Sequence, residues 1–305
     1  MCFKFSASIF KKIMSHGDQK FLRTHKSFGN FSIMKDLPYI DDGDKYHKLD
    51  ILKPVLGSEN GITLFYIHGG AYLYGDKETN QIFTSWYASQ GYTVISLNYR
   101  LMNIDDVDFK EQMKDIVAAL NYVYENRFNF ELNLNNLCLM GDSAGGHMSM
   151  MLDLIMHYED IRSYYGVKVA PVNFRCTVLN STMYDFKALV KYSRRYLTKK
   201  GTKNVLSRYC FDDNYMNINS PKYYLEKGYK LIPTMNTTAY HDNFLFQSLS
   251  LKRDAEKYGV DVKTYIETSS KKEIGHVFNH FIFDKEGKKC NLAMCDFIKS
   301  HCNIE

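Results

Sequence analysis

The sequence predicts an α/β protein with a mostly parallel central sheet covered by helices on both faces. Three observations lead there. Short apolar runs alternate along the chain with longer stretches whose apolar residues recur at helical spacing. Runs such as Ile62 to Ile67 are rich in apolar residues rather than strictly alternating, as strands buried on both faces require. Two glycine-rich turns, His68-Gly69-Gly70-Ala71 and Gly141-Asp142-Ser143-Ala144-Gly145-Gly146, each directly follow such a run.

Taken in order, residues 1 to about 27 carry Phe5, Ile9, Phe10 and Ile13 at near-helical spacing, which fits either a helix across the mouth of a site or a tail. Phe28 to Pro54 alternates in polarity, most clearly over Tyr46 to Leu52. It is broken by Asp41-Asp42-Gly43-Asp44, so an antiparallel hairpin opens the sheet. Strands are expected at Ile62 to Ile67 and Thr93 to Leu97, with a helix around Gln81 to Gln90 between them. Phe109, Met113, Ile116, Val117, Leu120 and Tyr124 mark one face of a long helix. Asn136 to Met140 reads as a strand and Gly146 to about Tyr158 as the helix behind it.

Asn173 to Leu179 gives another strand, followed from about Met183 to Tyr229 by a segment rich in Tyr, Lys and Asn that is too long for a plain connection. It has helical patches such as Phe186 to Tyr196, and Ser220-Pro221 marks the return to the main body. The rest reads as strand (Thr234 to Tyr240), helix (Phe244 to Tyr258), strand (Val260 to Glu267), a polar loop and a last helix near Leu292 to His301. No internal repeat is present, and residues 1–305 are read as a single domain with 183–229 inserted in it.

Composition narrows the function. A net charge of +5 with acidic and basic residues interspersed carries no nucleic-acid footprint. The seven cysteines (Cys2, Cys138, Cys176, Cys210, Cys290, Cys295, Cys302) are odd in number and lack C-x-x-C spacing, so buried free thiols are expected rather than a disulfide framework or a zinc site. Neither a signal peptide nor a transmembrane segment is recognised, and cytoplasm is the expected compartment.

The chemistry is carried by the spacing G-x-S-x-G around Ser143. Small residues on both sides let a sharp strand-to-helix turn push the hydroxyl outward. A serine hydroxyl is a poor nucleophile at neutral pH and needs a base, itself oriented by an acid. Paired glycines at His68-Gly69-Gly70-Ala71 let backbone N–H groups approach an oxygen that becomes negative during acyl transfer.

With HGGAY early, GDSAGG in the middle and a late Asp and His, the chain from about Leu49 onward resembles the α/β-hydrolase superfamily, and within it the hormone-sensitive-lipase-like esterases. The resemblance implies the chain order Ser, acid, His, and so Ser143, Asp242 and His276 as the catalytic residues. The stretch Tyr240-His241-Asp242-Asn243-Phe244 resembles the family's acid motif without its usual proline, and Gly275-His276-Val277-Phe278 its late histidine motif. Gly69, Gly70 and Ala144 would supply the oxyanion hole. Asp212 and Asp213 are weaker candidates for the acid. His68, His147, His241, His280 and His301 are assigned other roles, His68 bracing its loop and His147 serving the structure.

The insertion 183–229 would form a cap. Tyr72, Tyr74 and the insertion's aromatics suggest a restricted, partly polar pocket for substrate, hence a short-chain ester or an acylated sugar. No metal and no organic cofactor is required. The expected partner is a small-molecule ester, with no nucleic acid, and a homodimer is left open. A small-peptide serine peptidase and a non-catalytic ligand-binding relative are the competing functions.

Overall fold

The computed structural model describes residues 27–102, 107–196 and 212–302; the first 26 residues, on which the expected N-terminal helix or tail falls, lie outside the described residues. The chain opens with an antiparallel pair, β1 (Phe31–Pro38) and β2 (Lys48–Pro54). There follow β3 (Thr63–Ile67), α1 (Gln81–Ser89), β4 (Thr93–Leu97), α2 (Phe109–Glu125), β5 (Leu137–Asp142), α3 (Ala144–His157), α4 (Glu159–Tyr165) and β6 (Phe174–Asn180). The inserted stretch contributes α5 (Phe186–Tyr196), α6 (Asp213–Ile218) and α7 (Pro221–Glu226). The chain then closes with β7 (Thr234–Ala239), α8 (Leu245–Tyr258), β8 (Val262–Glu267) and α9 (Lys285–His301).

The eight strands form one sheet in the order β1-β2-β4-β3-β5-β6-β7-β8. Pairing is antiparallel from β1 through β2 to β4 and parallel from β4 to β8. Such a sheet must hide both faces, and the alternation of side chains divides its interior into two cores. Phe65, Ile67, Leu137 and Leu139 point to the side covered by α2 and α3, with Met113, Ile116, Leu120 and Met148. Leu64, Tyr66, Cys138 and Met140 point to the other, with Phe83 and Trp86 of α1 and Met294 and Ile298 of α9. The parallel strands place their C-terminal ends on one rim, and β3, β5, β6, β7 and β8 deliver the loops that build the site there.

Two elements depart from the sequence expectation. The last helix begins at Lys285, two turns before Leu292, because its first turn is polar except for Gly287, which lies against the backbone of Phe281. The periodicity of Cys290, Met294, Cys295, Phe297 and Ile298 emerges only afterwards. The short α4 has no counterpart in the sequence expectation; it is seven residues long, too brief for a periodic signal, and ends on Gly166 in the left-handed conformation. Five cysteines, Cys138, Cys176, Cys290, Cys295 and Cys302, are buried and free. No helix among the described residues is long and apolar enough to cross a membrane.

Candidate active site

Ser143 sits between β5 and α3 with φ +50° and ψ −115°, outside the regions an L-residue favours. The sequence tolerates this because its neighbours are small. A Cβ on Gly145 would collide with the carbonyl oxygen of Ile67, so only glycine lets α3 start this close to β3. The N–H of Ser143 donates to the carbonyl of Asn180 at 2.7 Å and fastens the turn to the end of β6. The strain at Ser143 is therefore held by the sheet around it.

Asp242 follows β7 and His276 lies in the loop after β8, far apart in sequence but brought to the same rim. His276 Nε2 is 2.9 Å from Ser143 Oγ, and His276 Nδ1 is 3.0 Å from Asp242 Oδ1. With Nδ1–H donated to the carboxylate, Nε2 is free to accept the serine proton. Asp242 is only 5% exposed, while His276 retains access to solvent. Burial alone would raise the Asp242 pKa. Hydrogen bonds from His276, the Phe244 N–H at 2.8 Å and the Ser181 hydroxyl outweigh it and hold the carboxyl below its ordinary value. Thr238 Oγ1 adds a donor to Oδ2 at 3.2 Å.

The loop after β3 is left-handed at Gly70, Ala71 and Tyr72. At Gly70, with φ +117°, a Cβ would run into the carbonyl of Tyr74, which excludes any other residue from this turn. Gly69 corrects the sequence expectation. Its N–H donates to Asp142 Oδ1 at 3.0 Å and is not offered to a ligand. Among the described residues no acceptor is found for the N–H groups of Gly70, Ala71 or Ala144. Ala71 is thus a donor that the glycine pattern did not single out.

Tyr72 is a second correction. It is fully buried, its hydroxyl 2.8 Å from His147 Nδ1 and its ring packed edge-on against Phe109 and Phe186, so it belongs to the core and not to a pocket wall. Tyr74 is partly exposed. His147 donates Nε2–H to the carbonyl of Asn219 at 2.8 Å, and burial pushes its pKa down to about 3. His68 bonds through Nδ1 to its neighbour's carbonyl at 2.7 Å and stacks on Tyr99. His280 stacks on Phe83, His241 packs on Tyr240, and His301 bonds back to the carbonyl of Phe297. Asp212 caps α6 and Asp213 pairs with Lys187, so neither takes the place of Asp242.

Sequence reasoning missed Asp142 and Tyr66. Tyr66, in the middle of β3, donates its hydroxyl to Asp142 Oδ1 at 2.5 Å, so the carboxylate joins the serine turn to the Gly69 loop. A tyrosine inside an otherwise apolar strand was the available signal, since a buried hydroxyl needs a partner.

A sequence model of the BD-FAE family matches residues 49–250, well over half of the chain. The chain belongs to the BD-FAE family. The match begins in β2 and ends in α8, spanning the His68 loop, the Ser143 turn and Asp242, while His276 follows it. Esterase B from Lactobacillus rhamnosis, solved with a C6-C4 SN3 inhibitor, superposes on this BD-FAE chain with a TM-score of 0.88 at 23% identity, covering 98% of this chain and 96% of that one. An esterase of the bacterial hormone-sensitive lipase family gives 0.71 at 18% identity over 98% and 97%. At these identities the likeness speaks for the fold, which is that of the α/β hydrolases. In sequence, an alpha/beta hydrolase of Acanthamoeba polyphaga mimivirus is 28% identical over 156 residues, or 50% of this chain and 44% of that protein. The chain therefore spans less than half the length of that relative.

Proposed function

We propose that this BD-FAE chain is a serine carboxylesterase acting by two-step acyl transfer. The observation that carries the reading is the continuous hydrogen-bonded line from Ser143 Oγ through His276 to the buried Asp242 carboxylate, 2.9 and 3.0 Å long in its two links. His276 Nε2 takes the serine proton as Oγ attacks the ester carbonyl. Asp242 keeps Nδ1 protonated and stabilises the imidazolium. The unclaimed N–H groups of Gly70, Ala71 and Ala144 would receive the developing oxyanion. His276 then protonates the departing alcohol and activates the water that releases the acid.

A short acyl chain is the proposed substrate preference. It is supported by esterase B from Lactobacillus rhamnosis, one of whose structures carries a C4-C4 SN3 tributyrin phosphonate and has a TM-score of 0.87 to this chain. An acylated sugar is the second class to test, with Tyr74 left as the aromatic candidate at the loop. Residues 183–229 are proposed to cap the site: α5 and α6 are joined by the Lys187–Asp213 ion pair at 2.8 Å, and Phe186 packs against Tyr72 of the loop after β3. Five buried thiols support a reducing compartment, and a cytoplasmic location is proposed on that basis.

A fluorophosphonate probe should label the wild-type chain, and Ser143→Ala should abolish labelling. A panel of p-nitrophenyl esters of increasing length, acetylated sugars and aminoacyl amides then separates the substrate classes. Strong preference for long-chain esters over acetate would overturn the short-chain reading, and turnover of amides alone would make the protein a peptidase. Absence of labelling would identify a non-catalytic binder.

A further inference from the structure

Two non-glycine residues beside the candidate triad hold left-handed backbone angles: Ser181 at φ +49° and Val277 at φ +51°. For a β-branched residue such as Val277 that conformation is strained and persists only where its surroundings enforce it. Val277 directly follows His276, so whatever fixes its backbone also fixes where the imidazole stands.

The Val277 N–H donates to Ser181 Oγ at 2.9 Å. Other backbone bonds of this loop are local: Ile274 N–H to Lys271, Gly275 N–H to Glu273 and Phe278 N–H to Gly275. Ile274 and Phe278 are buried and anchor the two ends of the turn. The turn between them, which carries His276, is tied to the sheet by Ser181.

Ser181 is itself rigidly placed. It is 2% exposed, its N–H donates to the carbonyl of Thr237 at 2.7 Å, and the residue before it, Asn180, accepts the N–H of Ser143. With Oγ accepting from Val277, the hydroxyl keeps its own proton to donate, and Ser181 lies close enough to Asp242 to help lower the pKa of that carboxyl. One buried hydroxyl therefore engages the backbone next to the base.

We propose that Ser181 is a positioning residue: by accepting the Val277 N–H from a fixed place at the end of β6, it holds His276 with Nδ1 on Asp242 and Nε2 on Ser143. The proposal rests on the acyl-transfer reading of the site.

The test compares wild type with Ser181→Ala and Ser181→Gly. Three quantities are read: p-nitrophenyl acetate turnover, the rate of labelling by a fluorophosphonate, and the low-field proton NMR resonance of His276 Nδ1–H. Both variants should lose about 10–100-fold in kcat, the scale of misplacing a reacting group by about an ångström, with KM nearly unchanged. The labelling rate should fall in parallel, and the Nδ1–H resonance should shift or broaden. Glycine adopts φ +49° freely, so Ser181→Gly carries the test if the alanine variant fails to fold. Unchanged kcat, labelling rate and resonance would overturn the proposal, as would a loss confined to KM. If wild type is labelled but hydrolyses none of the esters, the esterase reading fails while labelling rate and resonance still decide the role of Ser181. If it is not labelled at all, the resonance alone decides.

Discussion

Asp142 stands one residue before Ser143, yet its carboxylate is turned toward Gly69 and accepts that residue's N–H at 3.0 Å. The same oxygen takes the Tyr66 hydroxyl, so the serine turn and the loop carrying the proposed oxyanion donors share one anchor. Removing it leaves two buried donors without a partner. Asp142→Ala should therefore cost about 2–6 kcal/mol of stability, since each unpaired buried group costs roughly 1–3 kcal/mol. It should also lower kcat at temperatures where the variant is folded. Chemical denaturation and ester turnover check the two effects, and Asp142→Asn, which keeps a carbonyl acceptor, should lose less of both.

Gly70 sets the course of the same loop. Its left-handed φ and the closeness of the Tyr74 carbonyl to where a Cβ would stand leave no room for alanine. Gly70→Ala must shift the turn that presents the N–H groups of Gly70 and Ala71. Loss of an oxyanion donor typically costs about 10²–10³-fold in kcat. A fall of that size should appear in esterase assays, with the two cores and hence the far-ultraviolet circular dichroism unchanged.

His147 is one helical turn beyond Ser143, but its role is different from that of His276. Burial holds its pKa near 3, so it stays neutral across the working range, accepting from Tyr72 and donating to the carbonyl of Asn219. These bonds link the loop after β3, the helix behind the serine and the return segment before α7. His147→Ala should unpair both partners and open a void among Phe109, Phe186 and Tyr72, costing about 3–5 kcal/mol. Fluorophosphonate labelling of Ser143 should persist below the lowered melting temperature, as it would not for His276→Ala.

Local features of the sequence carried the strands and the triad. The uninterrupted Thr93–Leu97 run coincides with β4, because a strand buried on both faces needs every position apolar or small. Ser143 was readable from the glycine turn directly after β5, and Asp242 and His276 from the motifs shared with the family; the structure places the three side chains within hydrogen-bond reach. The partners of the loop after β3 were not readable. Whether Gly69 offers its N–H outward or spends it on Asp142, and whether Tyr72 faces a pocket or the core, depends on left-handed turns at Gly70, Ala71 and Tyr72, which only one glycine in that stretch signals. The early start of α9 was hidden for a related reason: Lys285, Lys288 and Lys289 are exposed, Glu286 pairs with Lys271, and the apolar period begins a turn later.

Asp242 gives the site a pH signature with a definite sign. Burial raises its pKa, but the donors from His276, Phe244 and Ser181 prevail, and the folded-state value lies below the ordinary 3.8. A carboxyl whose pKa is lowered on folding adds stability that is fully present above the unfolded pKa and is lost as pH falls through the folded one. Asp242→Asn removes that contribution. The stability difference between wild type and Asp242→Asn should therefore be constant from about pH 7 to pH 5 and shrink below about pH 4. Melting temperatures across that range measure it, and a difference that grows toward low pH would contradict the assignment. In turnover the same variant should lose about 10⁴-fold in kcat, because asparagine leaves the imidazole in the wrong tautomer to accept from Ser143.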